Sequence, residues 1–292
     1  MFPDLPDEPL ELSAPLARAL AAERCLPDSP GREGCGWYHG LWQDLRLLDL
    51  AADPRYQAEF YRSALAEVAQ NRSRLRVLVC GSADYSLLAL VLWAGERSGF
   101  APEVTVLDAC DTPLELNRWY AARAGVTIAT VRGDALTYTP AAPFDVICSH
   151  AFLGQFPSAT RALIVRRWHD QLAPGGSAVL AQRLRAAAAD EKQHFSDEQA
   201  RAFCELVSER AVALAGRIGT APDRLAARAA VYARRLFAYP IDAAALADLL
   251  AAPGFRLARF ETVASPSSHV TGSRGVGIPG DAVHGCIRAE KV

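Results

Sequence analysis

Asp108 closes one short apolar run, residues 104–107, and lies 27 positions beyond Gly81, which closes another, residues 76–80. Gly81, Ser82, Ala83, Asp84, Tyr85 and Ser86 form a loop that leads into the apolar residues 87–93. Such runs read as parallel strands buried on both faces. A small-residue turn from strand to helix lets backbone amides approach a ligand, and an acid closing the next strand can accept from ribose hydroxyls. Together these residues predict a nucleoside site in an α/β half. Taken singly, Asp108 could instead cap the segment near Thr112, for which Asp111 would serve equally well, and Gly81 and Ala83 could mark a plain tight turn.

Dinucleotide sites carry G-x-G-x-x-G, whose second glycine admits a pyrophosphate. Here the aligned positions are Gly81, Ala83 and Ser86, with Asp84 inside the loop. A carboxylate there would repel a pyrophosphate and suits a ligand with an amine and a sulfonium, such as S-adenosylmethionine. A Rossmann oxidoreductase is disfavoured on the same ground. Downstream, Arg132-Gly133-Asp134-Ala135 follows an apolar run at 126–131, residues 144–150 read as a fourth strand ending in His150, and Pro174-Gly175-Gly176 turns into a fifth, 177–180.

In order and spacing this series resembles the class I S-adenosylmethionine-dependent methyltransferases over residues 73–183, with a weaker tail to the C-terminus. The resemblance implies a Rossmann-like seven-stranded α/β sheet with S-adenosyl-L-methionine as cofactor. Gly81, Ser82, Ala83, Asp84, Asp108 and Ala109 would bind it, Asp84 taking the methionine ammonium or else facing solvent. Asp134 would accept from the adenine amino group and Ala135 would offer its amide to the ring, unless Asp134 is a plain turn residue. The chain departs from the family at Val79, where an acid is usual, and at Ala83 and Tyr85, where the loop is usually richer in glycine.

His150, at the exit of the fourth strand, is the sharpest catalytic candidate. In this family that exit faces the transferable methyl, and imidazole titrates near neutral pH. The alternative is a packed structural histidine. Phe152 follows and could wall an aromatic substrate. Near the N-terminus, Tyr38, His39, Trp42 and Gln43 are paired at helical spacing: His39 with Gln43, and Tyr38 with Trp42. Such a face could hold a carboxylate and an aromatic body, and in residue types it is similar to the carboxyl methyltransferases of plants. An amphipathic packing helix would read the same way. The expected reaction is O-methylation of a small carboxylate to its methyl ester, oriented by His39, Gln43 and His150, because no arginine clamp is evident beyond Arg46. Phenol or alcohol O-methylation, N- or C-methylation, and a non-catalytic protein with this fold are the alternatives.

These residues need a sheet, a cap and a lid. Residues 12–24, 37–50 and 55–70 read as helices, so 1–72 form a leader and helical cap, and 73–292 the cofactor domain. After the fifth strand, residues 186–237 are rich in alanine and arginine with no convincing strand. With the helix 242–250 they make an insertion at about 186–250 that covers the cleft or meets a second subunit. Ser196 and Gln199 stand in capping-box order. Strands at 254–263 and 282–289, joined by a loop at 265–280, complete the sheet. At 51% apolar and 22% charged the composition is that of an ordinary globular protein, and a net charge of −2 shows no nucleic-acid footprint. Without a signal segment or spanning run, the expectation is a cytoplasmic protein that can form a homodimer and acts on a small-molecule methyl acceptor, with no nucleic-acid or membrane partner. Seven cysteines without a C-x-x-C pair read as reduced thiols, Cys80, Cys110 and Cys148 as apolar fillers, and no metal is expected.

Overall fold

The computed structural model describes residues 5–29, 33–51, 53–70, 72–185, 191–264 and 283–292. The expected loop at 265–280 and the start of the insertion, 186–190, lie outside them. Three N-terminal helices, α1 (Leu10–Arg24), α2 (Gly36–Leu47) and α3 (Ala58–Val68), precede the sheet. There follow β1 (Arg74–Cys80), α4 (Ser86–Ser98), β2 (Ala101–Asp108), α5 (Asp111–Arg123), β3 (Ala129–Arg132), β4 (Phe144–His150), α6 (Ser158–Gln171) and β5 (Leu172–Leu184). The C-terminal third adds β6 (Gln193–His194), α7 (Asp197–Ala213), α8 (Ala215–Ile218), α9 (Pro222–Arg235), β7 (Phe237–Ala238), α10 (Ala243–Ala251), β8 (Phe255–Ala264) and β9 (Val283–Lys291).

Seven strands form one sheet in the order β3-β2-β1-β4-β5-β9-β8. Neighbours among β1 to β5 are parallel, and β9 runs antiparallel to both β5 and β8. Alternation along the strands divides the core. Val77 and Val79 face the side covered by α3, α4 and α5, while Leu78 and Cys80 face Ile164, Val165 and Trp168 of α6 and Leu246 and Leu250 of α10. With both faces covered, each fully buried aliphatic side chain contributes roughly 1.5–3 kcal/mol, which is why the central strands read as unbroken apolar runs.

Several boundaries differ from the sequence reading. Strand β3 is only four residues long, because the helix before it ends at Gly125 in left-handed backbone and Val126 is exposed. The expected turn at Pro174-Gly175-Gly176 lies within β5. Phe144 pairs Leu172 and Val146 pairs Ser177, so five steps on β5 oppose two on β4 and the segment bulges at Gly175, φ 72°. The insertion does hold a strand pair, β6–β7, but two residues each leave no periodicity to read. Ser196 and Gln199 close the capping box at the start of α7.

The cap is fastened to the sheet by one guanidinium. Arg46 of α2 is fully buried and holds three carboxylates: Glu8 at 2.6 Å, Asp53 at 2.9 Å and Asp84 of the β1–α4 loop at 2.9 Å. Gln43 Nε2 donates to the same Asp84 oxygen at 2.6 Å, and Ser13 Oγ of α1 donates to Gln43 Oε1 at 2.6 Å. Burial pushes the Glu8 carboxyl up to about 7 against the opposing pull of Arg46. Removing one partner of a buried ion cluster leaves uncompensated charge and costs about 3–5 kcal/mol. Arg46→Met is therefore expected to lose about that much stability in chemical denaturation. A loss below about 1 kcal/mol, the worth of an exposed pair, would show that the carboxylates find other partners.

Candidate functional site

The described residues enclose a cavity of about 510 Å³ at the carboxyl ends of β1, β2, β4 and β5, under α2 and α9. Ligands of open α/β sheets bind outside the carboxyl ends where strand order reverses, here between β1 and β4. The volume is in the range of small-molecule sites.

One end is built by the first loop and the β2 exit. Asp108 lines it, with Oδ2 accepting from Ser82 N at 3.0 Å and Oδ1 from Cys110 N at 2.8 Å. Each oxygen keeps a lone pair for a further donor. Burial raises the Asp108 carboxyl, while His39 and the two amides oppose that rise. Gly81, Ser82 and Ala83 line the cavity beside it. Gly81 has φ 72°, and a Cβ there would stand 2.2 Å from the ring of Phe152, which also lines the cavity. The glycine thus both makes the turn and seats the aromatic ring.

Five of the expected site residues stand apart from the cavity. Asp84 is neither a cavity wall nor solvent-facing: it is completely buried, bound to Arg46 and Gln43, and accepts from Ser86 N at 2.7 Å. Gln43 is likewise spent on Asp84 and Ser13, so it does not share the cavity with His39. Ala109 is exposed outside the lining. Asp134 is an exposed turn acid accepting from Leu136 N at 2.9 Å, and Ala135 packs against the α6 side of the core. Gly133 N, just before them, donates to the Asp108 carbonyl at 2.9 Å.

Helix α2 presents Tyr38 and Trp42 to the cavity as the spacing predicts. Tyr38 stacks on Trp42, with ring centroids 5.3 Å apart, and on Tyr232 of α9 at 5.9 Å. Leu41, Leu45 and Leu48 pack with Phe203, Val207, Leu225 and Ala229 in one core, so the insertion rests on the cap. His39 lines the cavity beside three sulfurs. The Sγ atom of Cys110 lies 3.5 Å from that of Cys35 and 3.6 Å from that of Cys25. Burial opposes the charged imidazole, yet hydrogen bonding to Cys110 and Cys35 raises it to about 10. Hydrogen bonds from Cys25 and Cys35 hold the Cys110 thiol far below its ordinary range. Cys80 and Cys148 are buried fillers as expected; Cys110 is not, being half-buried in this sulfur cluster.

The other end is positive. His150 lines it, its Nε2 3.2 Å from Gln57 Oε1, and burial lowers its imidazole to about 4. With Gln57 Oε1 accepting from Nε2, the basic nitrogen is Nδ1. Ala151, the next residue, has φ 50°, a conformation held against strain. His284 of β9 stacks on His150 with centroids 5.7 Å apart. Arg183 of β5 and Arg185, just past the strand's end, complete this wall, and among the described residues neither has a carboxylate partner. Burial lowers both guanidiniums, and the repulsion of Arg183 brings Arg185 to about 9. The sequence reading missed Arg183, Arg185, His284 and Tyr232. The two arginines follow an apolar run with one residue between them, so they share a strand face, which was the available signal.

No protein-family model matches the sequence, and no curated protein sequence matches it. Among solved structures, a candidate class I S-adenosylmethionine-dependent methyltransferase from Listeria monocytogenes is 12% identical and aligns over 88% of this chain and 68% of its own, with a TM-score of 0.51. A candidate sarcosine dimethylglycine methyltransferase from Galdieria sulphuraria is 12% identical over 80% of this chain and 85% of its own, with a TM-score of 0.50. Magnesium protoporphyrin IX methyltransferase from Synechocystis PCC 6803, with bound S-adenosylmethionine, is 10% identical over 82% of each chain, with a TM-score of 0.48. At these identities the likeness is one of architecture: the chain has the Rossmann-like fold of the class I S-adenosylmethionine-dependent methyltransferases.

Proposed function

We propose that the protein is an enzyme that transfers a methyl group from S-adenosylmethionine to an oxygen of a small acceptor bearing an anionic group. The observation that carries this reading is the polarity of the cavity. Asp108 offers free lone pairs at one end, and at the other Arg183 and Arg185 stand without acidic partners among the described residues. A nucleoside suits the first end and a carboxylate the second, with the Tyr38, Trp42 and Tyr232 rings between for an apolar body.

Bound S-adenosylmethionine supplies an electrophilic methyl on a sulfonium, and the protein's task is alignment and control of one proton. Asp108 holds the ribose, and the arginines anchor the acceptor. His150, kept neutral by burial, takes the hydroxyl proton at Nδ1 as the new oxygen–carbon bond forms. Methyl ester formation on the carboxylate itself is the second reading, supported by the same arginines. It ranks second because transfer would erase the charge that two guanidiniums bind, and Gln43 is not there to orient the group. No helix of the described residues is long and apolar enough to cross a membrane.

Asp108→Ala is expected to weaken S-adenosylmethionine binding by roughly 1.5–3 kcal/mol, the range for hydrogen bonds to a charged group. Isothermal titration checks this, and unchanged affinity would remove Asp108 from the ribose site. Arg183→Met and Arg185→Met should each raise KM for an anionic acceptor roughly 10–100-fold by the same range, with cofactor affinity unaltered. An equal loss for a neutral analogue would assign the arginines a structural role instead.

The pH profile tests His150. A base must be unprotonated, and this imidazole charges only as pH falls through about 4, so kcat/KM should be flat around neutrality and drop at the acid end. His150→Ala should lose about 10²–10⁴-fold with a phenolic acid, and its residual rate should climb with pH as the phenol ionises. If both enzymes methylate the carboxylate, with no such alkaline rescue, the ester reading replaces this one.

A further inference from the structure

We propose that Cys25, Cys35, Cys110 and His39 form a zinc-type metal site fastening the helical cap to the Asp108 end of the cavity. The three Sγ atoms all lie within 4.8 Å of one another, with two separations of 3.5 and 3.6 Å. Sulfurs about 2.3 Å from a tetrahedral zinc stand about 3.8 Å apart, so the trio already matches three corners of that polyhedron. His39 is four residues beyond Cys35 on the first turn of α2, hence on the same helix face; it neighbours Cys110 and Cys35 but lies outside the 4.8 Å group of the three sulfurs, so as fourth ligand it would draw closer on metal binding. Its Nδ1 has no hydrogen-bond partner. Three thiolates and an imidazole are the donor set of closed structural zinc sites.

The placement of the cysteines argues against simple packing. Cys80, Cys148 and Cys286 are buried among aliphatic side chains, whereas these three are only half-buried and meet one another. Cys35 and Cys110 occupy the N-cap positions of α2 and α5, and neither side chain makes a capping bond. Serine or aspartate there would stabilise each helix by about 1 kcal/mol, so the thiols are kept at a cost. Two helix N-termini directed at the cluster favour thiolate, the form that binds metal. A disulfide would use only two of the three sulfurs and leave the third unexplained. The site would join the end of α1, the start of α2 and the β2–α5 turn. That turn includes the Cys110 amide that donates to Asp108.

The test is metal analysis of the full chain, purified without chelators in a non-coordinating reductant. About one zinc per chain is expected, exchangeable for cobalt(II) with the thiolate charge-transfer and intense ligand-field bands of a tetrahedral sulfur site. Cys35→Ser and Cys110→Ser should abolish stoichiometric uptake, and Cys204→Ser, outside the cluster, should retain it. His39→Ala should keep the charge-transfer band and shift the ligand-field bands; an unchanged spectrum would remove His39 from the ligand set. Cobalt titration needs no variant, so a misfolded mutant does not blunt the test. If wild type takes up no stoichiometric zinc or cobalt, the proposal is overturned, and a Cys110 disulfide to Cys25 or Cys35 under mild oxidant would then assign the cluster as a thiol switch.

Discussion

The buried guanidinium of Arg46 is the constraint on which the site depends. It draws Glu8, Asp53 and Asp84 from three separate chain segments to one point. Desolvating such a cluster is expensive, and its Coulombic gain recovers that cost only when the geometry is complete. The cost gives the network its consequence. Asp84 is held under the β1–α4 loop, so the loop's backbone, and not its acid, faces the cavity. The same cluster locks the depth of α2 against the sheet, which sets how far Tyr38 and Trp42 reach toward Tyr232.

Electrostatics then divide the cavity. The acid at the β2 exit and the cations at the end of β5 come from opposite sides of the β1–β4 switch point, so the sheet order itself separates the charges. His284 sharpens the positive end without adding to it: buried beside His150, Arg183 and Arg185, it is held neutral. Arg183 and Arg185 repel each other and, among the described residues, have no carboxylate partner, so an anionic ligand would relieve that repulsion. That asymmetry turns the functional reading from esterification of a carboxylate toward anchoring by one.

The strands were legible because both sheet faces are covered, which writes largely apolar runs into residues 76–80, 104–107 and 144–149, with Gly81, Asp108 and His150 at their ends. Site residues held by local backbone geometry were legible for the same reason: Gly81 must turn, and Asp108 must follow β2. Residues whose role depends on a distant partner were not. Nothing near Asp84 announces Arg46, 38 positions earlier. Cys25, Cys35 and Cys110 lack metal spacing because the site is assembled from three elements. The bulge in β5 was hidden since Pro-Gly-Gly reads as a turn whether or not the strand continues past it.

Helix α2 shows why a shared face is not a shared environment. His39, Gln43 and Arg46 form one stripe at i, i+4 and i+7, and Tyr38, Trp42 and Leu45 another. The second stripe is uniform, facing the insertion along its length. The first runs from rim to interior: His39 meets the sulfurs and the cavity, Gln43 meets Asp84 one turn deeper, and Arg46 reaches the ion cluster. Periodicity fixes the direction of a side chain but not its depth. Only the turns that carry Tyr38, His39 and Trp42 reach the cavity, and the residues behind them hold those turns in place.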